Sequence, residues 1–391
     1  MNFPEIVIAT LLHPVGETGV QTHFNNFRSY LNQQGVLVNT ITPFSYAKTF
    51  VYPVFSIRRF IDPFYGPLSV WWYRYWHYFF LRLALRSFLA SRKDTVIYAQ
   101  CPLSAKAALE ARLDSSQKVV MIVHFNVSQA EEWRSKGKIK AGDWIYKDIY
   151  NIERQILPKV DGLVYISQWM KSVLERDIPD LQKVASLLSP NFCERRMSSS
   201  AQLAIYDLIN IGTLEPRKNQ AFLLEVLAEA KRLGREFSLT LIGDGPDRGK
   251  LQQLAVTLDI VPQVRFLGYR KDAADLLPQH RCYVHSALVE SFGIVLIEAM
   301  ACGLPVVAGA VGGIPELYTD GVEGFFWALD DSKAAAVRLI QLLDDRDRCA
   351  DMGAAAIRRY LHSYTTEAVA AGLLNFLSTV STDQSSRILD N

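Results

Sequence analysis

Two carboxylates eight residues apart, Glu290 and Glu298, stand on either side of Gly293 in the stretch Glu290-Ser-Phe-Gly-Ile-Val-Leu-Ile-Glu298. Ionised carboxylates accept hydrogen bonds from sugar hydroxyls. The preceding run, Cys282-Tyr-Val-His-Ser-Ala-Leu, reads as a buried strand, and Gly293 to Cys302 reads as a helix closed by Gly303 and Pro305. Glu290 is therefore predicted in a strand-to-helix loop and Glu298 inside the helix. At that helix start the amides of Phe292, Gly293 and Ile294 lack intrahelical acceptors, so they can donate to hydroxyls or phosphate oxygens with the helix dipole behind them. A second glycine-rich loop follows at Gly312-Gly313.

The whole window ESFGIVLIEAMACGLPVVAGAVGGIPEL, residues 290–317, resembles the donor-site signature of the family 4 retaining glycosyltransferases, which have the GT-B fold. The resemblance implies an α/β chain of two doubly wound Rossmann-like domains facing a cleft. A second cluster, Gly212-Thr-Leu-Glu-Pro-Arg-Lys-Asn219, lies between a strand and a helix starting near Gln220, and puts Arg217 and Lys218 in the loop. Transfer from a nucleotide sugar leaves a diphosphate with extra negative charge, which such cations stabilise. In the family a Gly-Arg-Leu followed by a lysine does this. Lys218 matches that lysine, Thr213 stands where the arginine would be, and Arg217 is the cation that could replace it.

Ile242-Gly-Asp-Gly-Pro-Asp-Arg-Gly249 has the wrong spacing for a dinucleotide fingerprint, with Pro246 where a helix should begin, which argues against hydride transfer. It resembles the family's Gly-x-Gly-Pro loop near the donor, beginning at Gly243, and Phe266-Leu-Gly-Tyr-Arg270 resembles the segment holding the base, through Tyr269 and Arg270. In the first half, His13-Pro-Val-Gly-Glu-Thr-Gly-Val-Gln-Thr-His23 follows the opening strand, and its glycines permit close approach of backbone to phosphate. Of these, Gly19 carries over from the family pattern, which usually has two adjacent glycines. His124 resembles the family's active-site histidine near the transferred sugar, while His23 reads as packing.

With 391 residues, 49% of them hydrophobic, the chain can bury two cores of ordinary size. Short apolar runs alternating with helical patterns predict parallel sheets: Ile6–Thr10, Val36–Ile41, Thr95–Ala99, Val119–His124 and Gly162–Ile166, then Leu208–Ile211, Ser238–Ile242, Val264–Leu267, Cys282–His285, Pro305–Ala308 and Gly324–Trp327. The domains are an acceptor-binding unit over 1–188, a polar linker over 189–201 and a nucleotide-sugar-binding unit over 202–363. The resemblance adds a C-terminal segment, 364–391, that packs back on the first unit. The five cysteines are scattered without metal-type spacing, and the N-terminus shows no signal core, so a reduced cytoplasmic setting is expected. No cofactor and no metal are expected: Asp345 and Asp347 read as a solvated helix face, and GT-B enzymes generally work without the divalent ion that such a pair holds elsewhere.

The segment 46–93 carries eight Lys and Arg against the single acid Asp62, interleaved with aromatics from Trp71 to Phe80. Arginines make a spanning helix costly. Arg74, Arg82 and Arg86 fall within a sector of about 120° on a helix, which suits peripheral contact with an anionic membrane at its inner face; an aromatic helix packed in the first domain with its arginines exposed is the competing reading. A net charge of +2 and the lack of a binding motif argue against nucleic acid.

These features together predict a retaining, metal-independent hexosyltransferase that moves a sugar from a nucleoside diphosphate onto a hydroxyl of a glycan or lipid-linked acceptor, in bacterial-type polysaccharide or glycolipid synthesis. The diphosphate leaves toward Lys218 and Arg217, its oxygen helps take the acceptor proton, Glu290 and the 292–294 amides hold the sugar, and Glu298 binds ribose. A nucleotide-sugar epimerase of the same fold, or a silent glycosyltransferase-like binding subunit, would share the donor site.

Overall fold

The computed structural model describes residues 3–16, 18–125, 127–194 and 204–382. Glu17 of the first glycine loop, the later part of the predicted linker and the tail beyond 382 lie outside the described residues. The chain divides into two compact units, Met1–Asn191 with Val369–Asn391, and Phe192–Ala368.

The first unit holds β1 (Glu5–Ala9), β2 (Val38–Ile41), β3 (Thr95–Ala99), β4 (Lys118–Val123), β5 (Gly162–Tyr165) and β6 (Ser186–Leu188). They form one parallel sheet in the order β2-β1-β3-β4-β5-β6. Val96 to Ala99 and Val119 to Val123 have no accessible surface, because helices cover both faces of the sheet and a two-sided strand must be apolar throughout. This is why unbroken Val/Ile runs marked the strands. β6 had no such signal: three residues at a sheet edge, with Leu188 exposed, are too short and too polar to stand out.

The second unit holds β7 (Tyr206–Ile211), β8 (Leu239–Ile242), β9 (Val264–Gly268), β10 (His280–His285), β11 (Val306–Gly309) and β12 (Gly324–Trp327), parallel in the order β12-β11-β10-β7-β8-β9. The strand order reverses between β7 and β10. In a doubly wound sheet the loops leaving the carboxyl ends of two such strands diverge to opposite faces and open a crevice.

In the described part of the predicted linker Phe192 and Cys193 are buried, and the Cys193 carbonyl accepts from the Tyr360 hydroxyl at 2.8 Å. One sequence expectation needs correction. The basic stretch 46–93 forms two helices, Lys48–Ile61 and Gly66–Leu89, parted by a turn containing Pro63. Arg74 does not join Arg82 and Arg86 on an outer basic face. It is only 5% exposed, and its Nη1 donates to Gln129 Oε1 at 3.0 Å. The second helix turns Leu81, Ala84, Leu85 and Leu89 into the core, and Arg82 lies 3.4 Å from Glu110 on the adjoining helix Pro102–Ala111. Along the last helix, Thr366–Ser381, the residues from Val369 belong to the first unit, where the Phe376 and Val380 side chains pack over Gly162 of β5.

Candidate functional site

In the second unit the two loops flanking the topological switch are laced together. After β7, Gly212 leads into a short turn, Pro216–Lys218, and Asn219 in the left-handed region starts the helix Gln220–Arg232. After β10, Ser286 to Gly293 leads into the helix Ile294–Ala301. Ser286 Oγ donates to the Lys218 carbonyl at 2.8 Å, the Leu288 amide to the Arg217 carbonyl at 2.9 Å, and Arg217 Nη1 to the Val289 carbonyl at 3.1 Å. These bonds fix Lys218 opposite Glu290, and the Lys218 ammonium lies 2.6 Å from Glu290 Oε2.

Both partners are largely enclosed. Burial by itself would raise the Glu290 pKa, but the Lys218 charge, helped by His285, overturns that and holds the carboxyl well below the usual range. Glu290 is an anion and Lys218 its cation. Arg217 is differently engaged: its Nη2 pairs with Glu215 at 2.8 Å, so the guanidinium braces the loop as well as charging it.

Glycines admit the close contacts that this requires. A Cβ on Gly312 would lie 1.9 Å from the Glu290 carbonyl oxygen, which instead accepts from the Gly313 amide at 3.0 Å. The glycine-rich loop after β11 thus clamps the backbone of Glu290. Gly243, at the end of β8, lets that loop meet the Gly212 carbonyl, where a Cβ would lie at 1.9 Å. Gly293 caps its helix at φ +86° and leaves room for Leu296.

The structure therefore assembles Gly212, Thr213, Arg217, Lys218, Gly243, Glu290 and Gly293 around one crevice of one sheet. Phe292 is buried against Tyr364, Ile294 begins the helix, and Glu298 is half-buried further along it. Tyr269 and Arg270 follow edge strand β9; Tyr269 is exposed and Arg270 pairs with Asp272 at 2.8 Å. Two residues at the crevice were not marked by the sequence. Glu215 could have been suspected from its place beside Arg217. His285 carried no signal, because it ends an apolar strand and meets Glu290 only once the loop folds back.

Gly19 and His124 belong to the first unit. Gly19 is the first residue of the helix Gly19–Gln33, which Thr18 and Gln21 cap reciprocally. His124 follows β4. Its ring stands edge-on to His23 at 4.8 Å, and His23 Nε2 is 3.0 Å from the Tyr98 hydroxyl. His124 Nε2 is 3.3 Å from Gln100 Oε1, while the Gln100 amide nitrogen donates to the Tyr98 carbonyl. An amide oxygen only accepts, so the His124 proton sits on Nε2 and Nδ1 is the acceptor.

Burial lowers both imidazole pKa values, His23 to about 3 and His124 well below its ordinary value, the latter also by repulsion from His23. The unfolded chain, with histidine pKa near 6.5, then binds more protons than the folded one at acid pH. Stability should fall as pH drops below about 6.5, by up to roughly 1.4 kcal/mol per pH unit for each histidine. A His23→Gln/His124→Gln double variant is expected to flatten the melting temperature between pH 7 and 4 relative to the parent. Parallel curves would show that these rings are not held neutral.

Comparison with known proteins follows the same division. A family model described as Glycosyl transferases group 1 matches residues 200–359, and one described as Glycosyltransferase Family 4 matches residues 18–185. N-acetyl-alpha-D-glucosaminyl L-malate synthase of Bacillus anthracis is 37% identical over 131 residues, 34% of this chain and 34% of its own length. A GDP-mannose-dependent alpha-(1-6)-phosphatidylinositol monomannoside mannosyltransferase of Mycolicibacterium smegmatis is 35% identical over 182 residues, 44% of this chain and 47% of its own. A monoacylated-substrate counterpart in Corynebacterium glutamicum is 30% identical over 246 residues, 57% and 64%. The chain thus spans from about a third to under two thirds of the length of these relatives. Among solved structures, Anabaena Alr3699/HepE in complex with UDP and glucose superposes with a TM-score of 0.69 at 18% identity, covering 96% of this chain and 100% of that one. Sucrose-phosphate synthase from Thermosynechococcus elongatus gives 0.71 at 17%, covering 95% and 97%. At such identities the likeness is one of fold.

Proposed function

For this chain, which belongs to the family 4 glycosyltransferases and has the GT-B fold, we propose retaining transfer of a hexose from a nucleoside diphosphate sugar to a hydroxyl of a glycan or lipid-linked acceptor. The observation that carries this reading is the buried Lys218–Glu290 pair at the switch point of the second sheet. The bond from the sugar's anomeric carbon to the diphosphate breaks as the bond to the acceptor oxygen forms on the same face, and the acceptor proton passes to a diphosphate oxygen. Lys218 meets the growing negative charge, while Glu290 and the amides at the start of Ile294–Ala301 hold the sugar's hydroxyls. With fixed cations in that role the reading needs no divalent ion. A relative that acts on a phosphatidylinositol mannoside supports a lipid-linked acceptor, and one bound to UDP and glucose supports the donor class.

Thermal stabilisation by UDP, GDP, ADP and their sugars tests the reading. A ligand at about 100 times its Kd adds roughly 2.7 kcal/mol to the stability of the state it binds. Selective stabilisation by one base is expected, followed by acceptor-dependent release of that diphosphate in the presence of EDTA. Conversion of the nucleotide sugar without an acceptor would make the protein an epimerase, stabilisation without any turnover would make it a silent binding subunit, and stabilisation by none would overturn the donor-site reading.

Peripheral contact with an anionic bilayer forms part of this proposal. Among the described residues no helix is long and apolar enough to cross a membrane. The helix Lys48–Ile61, however, turns an apolar stripe to solvent: Phe50, Pro53, Ile57 and Phe60 lie within about 80° of one another. Phe60 is 75% exposed, and Phe64, on the turn that follows, 87%. Arg59 is exposed about 100° round the helix from Phe60, and Lys138, paired with Asp62 at 2.8 Å just past the helix end, is flanked in sequence by exposed Lys136 and Lys140. Exposed apolar side chains with cations on the same helix and at its end suit anionic headgroups. Replacing both Phe60 and Phe64 by serine is expected to weaken co-sedimentation with phosphatidylglycerol-containing vesicles about a hundredfold, at ~1.5 kcal/mol for each phenyl ring. Undiminished sedimentation would remove the bilayer from the proposal.

A further inference from the structure

Glu290 faces a second group besides Lys218. His285, the last residue of β10, is 2% exposed, and its Nε2 stands 3.5 Å from Glu290 Oε2, with no closer hydrogen-bond acceptor among the described residues. Its Nδ1 is 3.3 Å from the hydroxyl of Tyr283, which is fully buried. The backbone here is fixed from both sides. Trp327 Nε1 donates to the His285 carbonyl at 3.1 Å, and Asn210 Nδ2 to the Val284 carbonyl at 2.8 Å.

The direction of this chain follows from the chemistry of its ends. An ionised carboxylate only accepts, so the nitrogen facing Glu290 must carry the hydrogen. Burial disfavours the charged imidazole, though Glu290 pulls the other way, and the ring's pKa is lowered on balance. A neutral ring protonated on Nε2 has Nδ1 as acceptor, one of two acceptors within reach of the Tyr283 hydroxyl hydrogen, with the Ile211 carbonyl at 3.4 Å the other. His285 thus points its N–H at the same Glu290 oxygen that Lys218 meets.

That geometry points to His285 as a positioning residue for Glu290, holding its carboxylate when the Lys218 ammonium turns to the donor's diphosphate. The inference rests on the proposed function, which places a diphosphate within reach of Lys218. A buried carboxylate deprived of its cation is costly. At 3.5 Å the ring is just beyond a good hydrogen bond, and a shift of about 0.6 Å brings it to the usual N–H···O length. Glu290 Oε2 would then be retained by His285, leaving Oε1 for a sugar hydroxyl.

The test compares binding of UDP-glucose with UDP, and of GDP-mannose with GDP, by calorimetry on the full-length protein. His285→Phe keeps a flat ring and removes the donor, whereas His285→Gln keeps an N–H near the same place. For the base that binds, the phenylalanine variant is expected to lose about ten- to a hundredfold in affinity for the nucleotide sugar and to hold the nucleoside diphosphate almost unchanged. The glutamine variant should recover most of the loss. The acid limb of nucleotide-sugar binding should also move to higher pH in the phenylalanine variant, because Glu290 has lost a donor to its charged form. In a Glu290→Gln background the same replacement should add no further loss.

Equal weakening for sugar and diphosphate, an unmoved acid limb, or a glutamine variant that folds but does not recover would each overturn the role, since packing alone predicts them. If the phenylalanine variant does not fold, His285→Leu, which also removes the donor, takes its place, and an unchanged ratio of nucleotide-sugar to diphosphate affinity there would count against the role in the same way. If the parent protein binds neither the nucleotide sugars nor their diphosphates, the donor-site reading fails first and this inference with it.

Discussion

Replacing Lys218 by alanine is expected to lower sugar transfer by about 10²–10³-fold, the usual cost of removing one preorganised group that meets developing charge. The loss should appear in kcat more than in KM, because the diphosphate's extra charge grows as the glycosidic bond breaks. The same substitution should also damage the free protein. Glu290 is held ionised by a cation 2.6 Å away in a buried setting, and breaking such a pair from one side costs about 3–5 kcal/mol at neutral pH. In the parent protein the Glu290 pKa is depressed below its unfolded value of about 4.5, so its contribution is present above that value and is lost as pH falls further. Without Lys218 burial dominates and the carboxyl pKa rises, so the variant's deficit in melting temperature should be largest near pH 8 and shrink toward pH 4. A Lys218→Ala/Glu290→Gln double variant should regain stability but not transfer. A single variant that melts like the parent and turns over normally would remove Lys218 from the leaving-group site.

The second large effect is expected at Gly312. Its φ of +57° would strain alanine, and the added Cβ would sit 1.9 Å from the Glu290 carbonyl oxygen, so the two loops would have to part. Parting them breaks the Gly313-to-Glu290 bond and carries Glu290 away from Lys218. Gly312→Ala should therefore reduce nucleotide-sugar affinity by more than tenfold and transfer by more still, because a displacement of about 1 Å in a positioning group costs on the order of 10²-fold. Gly321→Ala is the control: φ is +83° there too, but nothing lies within 4 Å of the new methyl group. It should lose a little stability and no donor affinity. Equal losses at both glycines would mean that backbone strain, and not the approach to Glu290, is the cause of the first.

The strands were legible because parallel sheets covered on both faces require unbroken apolar runs, and runs as short and as purely apolar as Val119 to Val123 suit a strand buried on both faces better than a helix. The glycine loops were legible for a related reason. Gly212, Gly243, Gly293 and Gly312 occupy loops that follow the carboxyl ends of strands, where backbone meets backbone or turns left-handed, and a side chain would not fit at several of them. The pattern failed for the aromatic segment. A period of 3.6 showed that Arg74, Arg82 and Arg86 share a sector, but when every side of a helix carries large apolar rings, periodicity does not say which side faces the core. Packing against the helix Pro102–Ala111 and against Gln129 buried Arg74, and the exposed apolar stripe formed on the preceding helix, Lys48–Ile61.

Sequence by itself determined that this chain forms two parallel α/β units, where all their described strands but β6 run, and which glycine, lysine and glutamate residues stand at the strand ends, because local apolar patterning and backbone conformational limits act over a few residues. Tertiary structure decided the partnerships: Lys218 with Glu290, Arg217 with Glu215 and the Val289 carbonyl, His285 with Glu290 and Tyr283, and His124 with Gln100. The Lys218–Glu290 contact joins residues 72 positions apart. Its existence depends on the reversal of strand order between β7 and β10, which brings two distant loops to one crevice and which no local pattern along the chain records.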